Sequence, residues 1–183
     1  MKRIRAFGTY SLLAGWLLVS WCYHPTPSTA LVEIAPGVVA EADQSIMKEL
    51  VAAFDEAEVA VRQADIDALM LFYGKGYNYH GLKLSEVRRV WSEVFAHYGA
   101  VTSKHVFTEL KLAKAGSMEK AYVTCTGGLY GLEKETRKPI TIDSWVNEVH
   151  HLVKENGRWH FHGNAGGAPA SAPPSSAPHH PLF

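Results

Sequence analysis

Only two cysteines occur in the 183 residues, Cys22 and Cys125, and no C-x-x-C pair is present. A disulfide framework is therefore excluded once Cys22 leaves with a leader. There is no Gly-rich phosphate loop, no G-x-S-x-G elbow and no heptad array, so nucleotide-loop, serine-hydrolase and coiled-coil chemistry lack a foothold. Charge of one sign is missing too: 18 basic residues balance 18 acidic ones. Nothing in that balance calls for nucleic acid as a partner. The apolar stretch Ser11–Trp21 is too short to cross a bilayer, which takes about 20 residues.

What is present begins with a basic leader. Lys2, Arg3 and Arg5 stand without a single acid in residues 1–30, leaving 15 basic against 18 acidic groups in residues 31–183. Residues 1–30 are expected to be a signal peptide, with Ser28-Thr29-Ala30 before the cut and export to the periplasm or beyond. Leu18-Val19-Ser20-Trp21-Cys22 offers a second exit as a lipobox, the one route by which a membrane would become a partner. Residues 31–40 are expected to be a linker. At the other end, residues 165–183 are rich in Pro, Ala, Ser and Gly and are expected to be disordered, because so little apolar surface does not offset the entropy of ordering them.

The body between, residues 41–164, changes period once. From Glu41 to Ala64, Ile46, Leu50, Ala53, Phe54, Ala57 and Val61 recur at three- and four-residue steps, the stripe of an amphipathic helix. Asp65 is placed to cap a short second helix through Ile66, Leu69 and Phe72, closed at Gly74 and Gly76. A short aromatic strand, Tyr77-Asn78-Tyr79-His80, follows. Ser85 is expected to cap a third helix carrying Val87, Val90, Trp91, Val94 and Phe95, with Gly99 ending it. Beyond Gly99 the period falls to two, giving strands over 101–113, 119–132, 139–154 and 158–164, the last pair joined through Asn156-Gly157. Helices first and antiparallel strands after make an α+β domain with a curved sheet around the helices. Both faces of the third long strand are partly apolar, so a homodimer through the sheet is expected.

The body resembles the nuclear-transport-factor-2-like (NTF2-like) superfamily in its SnoaL-like and ketosteroid-isomerase-like branches. Ala64-Asp65-Ile66-Asp67-Ala68-Leu69 is similar to that family's helix-to-helix turn, Phe72-Tyr73 follows as there, and Leu152-Val153-Lys154-Glu155-Asn156-Gly157-Arg158-Trp159 is similar to its closing hairpin. The resemblance implies a cone of three helices and a mostly antiparallel sheet over residues 41–164. It leaves the chemistry open, because this scaffold hosts isomerases, dehydratases, hydrolases and carriers. One departure stands out. Where relatives place histidines in phase with the last-strand tryptophan, this chain has Phe161 and Gly163, while His160 and His162 alternate with them.

The candidate site residues follow from type and phase. His105 and Asp143 are the acid–base candidates: an imidazole moves protons near neutral pH, and a carboxylate beside an indole has its pKa raised by desolvation. The dehydratase branch, by resemblance, uses a pair of histidines with tyrosines for elimination. Tyr77, Tyr79, Trp91, Tyr122, Trp145 and Asn147 are the ligand-binding candidates, aromatic walls with a few polar donors. Cys125 reads as a small buried hydrophobe. His160 and His162, with His150 or His151 across the hairpin, have the spacing of a two-strand metal site, but no recognised motif is completed, and neither metal nor cofactor is expected. Asp143 and Glu148 fall on opposite faces of a regular strand, so the acid–base pair is incomplete and binding of a small apolar or amphipathic ligand is the preferred function. A proton-transfer enzyme and a sheet-mediated interaction module are the alternatives.

Overall fold

The computed structural model describes residues 32–79 and 82–164. The leader, the lipobox at Cys22, His80, Gly81 and the Pro-rich tail lie outside the described residues. Eight elements run in the order β1 (Val32–Ala40), α1 (Gln44–Gln63), α2 (Ile66–Met70), α3 (Leu84–His97), β2 (Tyr98–Ala115), β3 (Met118–Glu133), β4 (Pro139–Glu155) and β5 (Arg158–Asn164). The strands form one mixed sheet in the order β1-β2-β3-β4-β5. The architecture is α+β, as the sequence pattern implies. Among the described residues no helix is long and apolar enough to cross a membrane.

Local chemistry sets the helix ends. Asp43 accepts hydrogen bonds from the backbone N–H groups of Ser45 and Ile46, both at 2.9 Å, and so starts α1. Ala64 closes it in the left-handed region at φ 53°. Asp65 accepts from the N–H of Ala68 at 3.0 Å and starts α2. α3 begins one residue ahead of Ser85, because the Glu86 carboxylate reaches back to the N–H of Lys83 at 3.0 Å. It also ends without Gly99, which lies inside β2.

Two expectations about chain path are corrected. Residues 32–40, read as a linker, form the edge strand β1, which precedes the helices and pairs parallel with β2 (Val32 opposite His105, Ile34 opposite Phe107). Val32 packs into the core and Glu33 pairs with Lys104 at 2.9 Å, interactions that lie far apart in sequence. Residues 77–79 make no strand. Instead, the N–H of Phe161 donates to the Phe72 carbonyl and the N–H of Gly74 to the Phe161 carbonyl, which ties residues 72–74 along β5. Tyr77 and Tyr79 are thereby held over the inner face.

The remaining strands are antiparallel neighbours, and the Asn156-Gly157 turn between β4 and β5 has positive φ at both residues, 51° and 80°. Bulges interrupt the ladders. The decisive one lies in β4 between Trp145 and Glu148, where Asn147 takes φ 55° and its N–H turns to the Thr126 hydroxyl at 3.0 Å. Cross-strand partners share a face. Because Gly127 pairs with Trp145 and Cys125 pairs with Glu148, the bulge turns Glu148, His150 and Leu152 to the same inner face as Trp145. A regular strand would have sent them outward.

Candidate functional site

The inner face meets α1 at a fully buried acid–base pair. α1 buries Leu50, Phe54, Ala57 and Val61, and Glu58 stands in the same stripe at 0% exposure. Opposite it on β2 is His105, also at 0% exposure, with Nδ1 2.8 Å from Oε1 of Glu58. That distance puts the carboxylate within ion-pair reach of the imidazole, a pair that is charged only when the ring is protonated. The second oxygen of Glu58 and the hydroxyl of Ser103, two residues before His105, have no partner among the described residues.

A second polar chain lies beside the first. Tyr79 donates its hydroxyl to Oε1 of Glu148 at 3.3 Å, and the Asn164 amide nitrogen donates to the same oxygen. A carboxylate only accepts, so this contact fixes the amide with Oδ1 turned the other way. Oδ1 lies 2.8 Å from Nδ1 of His150. An amide oxygen cannot donate; Nδ1 of His150 therefore carries the proton, and its Nε2 holds a lone pair. Burial, helped by the neighbouring His105 and opposed by the Asn164 bond, pushes the His150 imidazole down to about 3. It is neutral at physiological pH.

Rings close around both chains. Phe54 touches both imidazoles, with centroids 5.1 Å from His105 and 5.8 Å from His150. Trp145 lies 5.0 Å from His105, and the two imidazoles are 6.0 Å apart. Phe161 packs on His150 at 5.5 Å and on Tyr77 at 5.7 Å. Burial, with the negative charge of Glu148 second, pushes the Tyr79 phenol up to about 12, and burial raises that of Tyr77 as well. Both remain hydroxyl donors near neutral pH. A hollow of about 430 Å³ is lined by Tyr77, Asn78, Lys75, Gly76 and Lys83–Ser85.

The other candidates fall elsewhere. Asp143 follows the inner row opposite Leu129 but is half-buried, and its Oδ1 accepts from the N–H of Ser144 at 2.6 Å. Trp91 is fully buried, yet its Nε1 donates to the Tyr73 hydroxyl at 2.8 Å, a pin between α3 and the segment after α2. Tyr122 is corrected: it lies on the outward face of β3, stacked on His151 at 5.1 Å, because its neighbours Ala121 and Val123 take the inward positions. Asn147 is corrected too, since it is the exposed bulge residue rather than a lining group. His160 donates to the Leu71 carbonyl at 3.0 Å and His162 lies 2.7 Å from a Glu155 oxygen, contacts that separate them from His150. The Cys125 thiol is pushed up to about 12 by burial and accepts from the Trp145 indole at 3.5 Å, so it packs as a hydrophobe.

Sequence alone singles out neither Glu58 nor Asn164, while Glu148 enters only as an acid facing away from Asp143 and His150 only as a possible metal ligand. For Glu58 a signal existed: an acid four residues after Phe54 and three before Val61, inside the apolar stripe. For Asn164 the signal was the phase argument itself, defeated by a bulge in β5 that pairs Gly163 with His151 and Asn164 with His150.

The neutral His150 makes an acid-stability prediction. Between pH 6.5 and about 3 the unfolded chain binds a proton at this imidazole that the folded chain does not. Stability from this group is therefore complete above pH 6.5 and is lost as pH falls through that window, by up to about 1.4 kcal/mol per pH unit. Urea unfolding across pH 4–7 should show a shallower acid limb for His150→Phe than for the wild type; parallel limbs would refute the assignment.

No family model matches the sequence, and no curated protein does. Among solved structures, a scytalone dehydratase-like protein of Novosphingobium aromaticivorans superposes with a TM-score of 0.52 at 9% identity, over 73% of this chain and 95% of that one. The fold is the NTF2-like cone. Two more similar chains are a ketosteroid isomerase-like protein of Erwinia carotovora atroseptica (TM-score 0.47, 18% identity, 67% of this chain and 95% of that) and a protein of the NTF2-like family from Streptomyces avermitilis (TM-score 0.48, 13% identity, 67% and 95%). Within the NTF2-like cone, the Glu58–His105 pair spans the helix-to-sheet contact, and the Tyr79–Glu148–Asn164–His150 chain lines the same interior.

Proposed function

We propose that this NTF2-like protein takes a small apolar or amphipathic ligand into the cone and transfers a proton on it, as an isomerase or dehydratase does. The observation that carries the reading is the Glu58–His105 pair, wholly buried among aromatic rings with a neutral imidazole 6.0 Å away. Taking two ionisable groups out of water costs several kcal/mol, and apolar side chains of the same size would serve the fold at least as well. A fully buried acid beside an imidazole inside a cone has the geometry of a base and the group that orients it. The sequence-based preference for binding alone rested on Asp143 and Glu148 facing opposite ways, and the Asn147 bulge removes that objection.

The roles follow from chemistry. His105 takes a proton from a carbon next to a carbonyl through Nε2, and the C–H electron pair moves onto the carbonyl oxygen. Glu58, against Nδ1, orients the ring and balances the imidazolium charge. The Tyr77 phenol, which stays protonated, donates to the developing oxyanion, while the Tyr79 hydroxyl is held by Glu148. The proton then returns to a second carbon for isomerisation, or leaves with a hydroxyl as water for dehydration.

Deuterium uptake from heavy water into a panel of cyclic ketones, followed by mass spectrometry, tests this. Wild type should exchange at least one ketone, and His105→Gln should slow that exchange about 10²–10⁴-fold with folding intact. An unchanged rate in His105→Gln would overturn the role of His105. Ketones that bind the wild type without exchanging would make the cone a carrier.

A further inference from the structure

The proton-transfer reading uses His105 and the Tyr77 phenol and leaves His150 idle, although it is the second imidazole in the cone. Its environment is unusually determinate. Glu148 orients Asn164, Asn164 holds the proton on Nδ1, and Phe54, Trp145 and Phe161 surround the ring. The remaining nitrogen, Nε2, is fully buried and has no hydrogen-bond partner among the described residues. A buried acceptor without a partner is costly, and native structures rarely leave one unexplained.

We infer that His150 is a specificity-determining residue: its Nε2 lone pair accepts a hydrogen bond from a hydroxyl on the ligand, so the cone selects hydroxyl-bearing ring compounds over their ethers and hydrocarbons. The inference rests on the cone being the ligand site. A ring compound fits because the walls around both imidazoles are aromatic. A hydroxyl fits because Nε2 only accepts. An ether or a carbonyl oxygen presented at Nε2 would set two lone pairs against each other in a fully buried site. The tautomer lock makes the discrimination firm. A free histidine would exchange its ring proton and accept either kind of oxygen, whereas Asn164 here holds the donor on the wrong nitrogen for an ether. Ser103 and the outer oxygen of Glu58 stay available for other polar groups of the same ligand.

The test is a matched pair of probes, 5-indanol and its methyl ether, titrated calorimetrically into the wild type, His150→Phe and Asn164→Leu. Wild type should prefer the phenol by about ten-fold or more. His150→Phe should bind both with a ratio near one, and Asn164→Leu should lose most of the preference by freeing the tautomer. Nitrogen-15 NMR of the histidine-labelled wild type gives a readout that needs no variant: the bare Nε2 signal should shift on adding 5-indanol and stay put with the ether. Equal affinity of the wild type for both probes, or a preference that survives in His150→Phe, would overturn the inference while leaving the cone a ligand site. If neither probe binds the wild type, the cone is not this kind of site and both readings fall.

Discussion

Replacing Glu58 with leucine should cost the protein about 3 kcal/mol of stability, even though leucine is the better helix former and the more easily buried side chain. The reason is what it leaves behind. His105 has no exposure, and the rings of Phe54, Trp145 and His150 pack against it. With the carboxylate gone, a fully buried imidazole loses the polar group 2.8 Å from its Nδ1, and breaking a buried pair by removing one member costs about 3–5 kcal/mol. Adding His105→Phe to Glu58→Leu should recover most of the loss, since replacing both members by apolar groups of similar volume is often neutral or stabilising. Urea denaturation of the two single variants and the double gives the coupling directly. A Glu58→Leu protein as stable as wild type would show that the pair is not energetically coupled. A double variant that is stable and inactive would place the pair on the side of function: this cone tolerates a costly polar centre because its chemistry needs one.

That pair also shows where reading the sequence succeeds and where it stops. The stripe through Leu50, Phe54, Ala57 and Val61 identifies α1 and its buried face, and the period change at Gly99 locates β2 to β5 to within a few residues, because amphipathic patterning is a local property. Glu58 belongs to the same stripe, but one acid among apolar residues does not say what faces it, and its partner lies in another element 47 positions away. The bulges are a harder limit. A single extra residue in β4 reverses the facing of Glu148 and His150, and the sole local hint is an Asn in mid-strand, a residue that tolerates positive φ. On chemistry alone Tyr122 and Trp145 belong to one wall. Register puts the first outside and the second inside. β1 was missed because Pro36 and Gly37 break its alternation, and because its pairing is parallel, with no hairpin turn to announce it.

The second large effect lies at Gly127, where function and fold share one atom's worth of space. His105, Gly127 and Trp145 stand in one row across β2, β3 and β4. The missing side chain of the middle residue is what lets the indole fold across β3 and lie 5.0 Å from the His105 ring. A Cβ added there would sit 2.0 Å from the Lys104 carbonyl oxygen and 2.7 Å from a Trp145 ring carbon. The first is backbone of the paired strand and cannot swing aside, so Gly127→Ala must part β2 from β3 or shift Trp145 and β2 together. We expect a loss of more than about 3 kcal/mol and a flattened near-ultraviolet dichroism signal from the displaced indole. Gly99 is the control. It lies in the same sheet, a Cβ there meets nothing nearer than 3.7 Å, and Gly99→Ala should change stability by no more than about 0.5 kcal/mol. Two strand glycines given the same methyl group should therefore differ several-fold in cost. If Gly127→Ala unfolds at the same urea concentration as Gly99→Ala, the row is looser than its geometry states, and Trp145 is not held over His105 by the absence of a side chain between them.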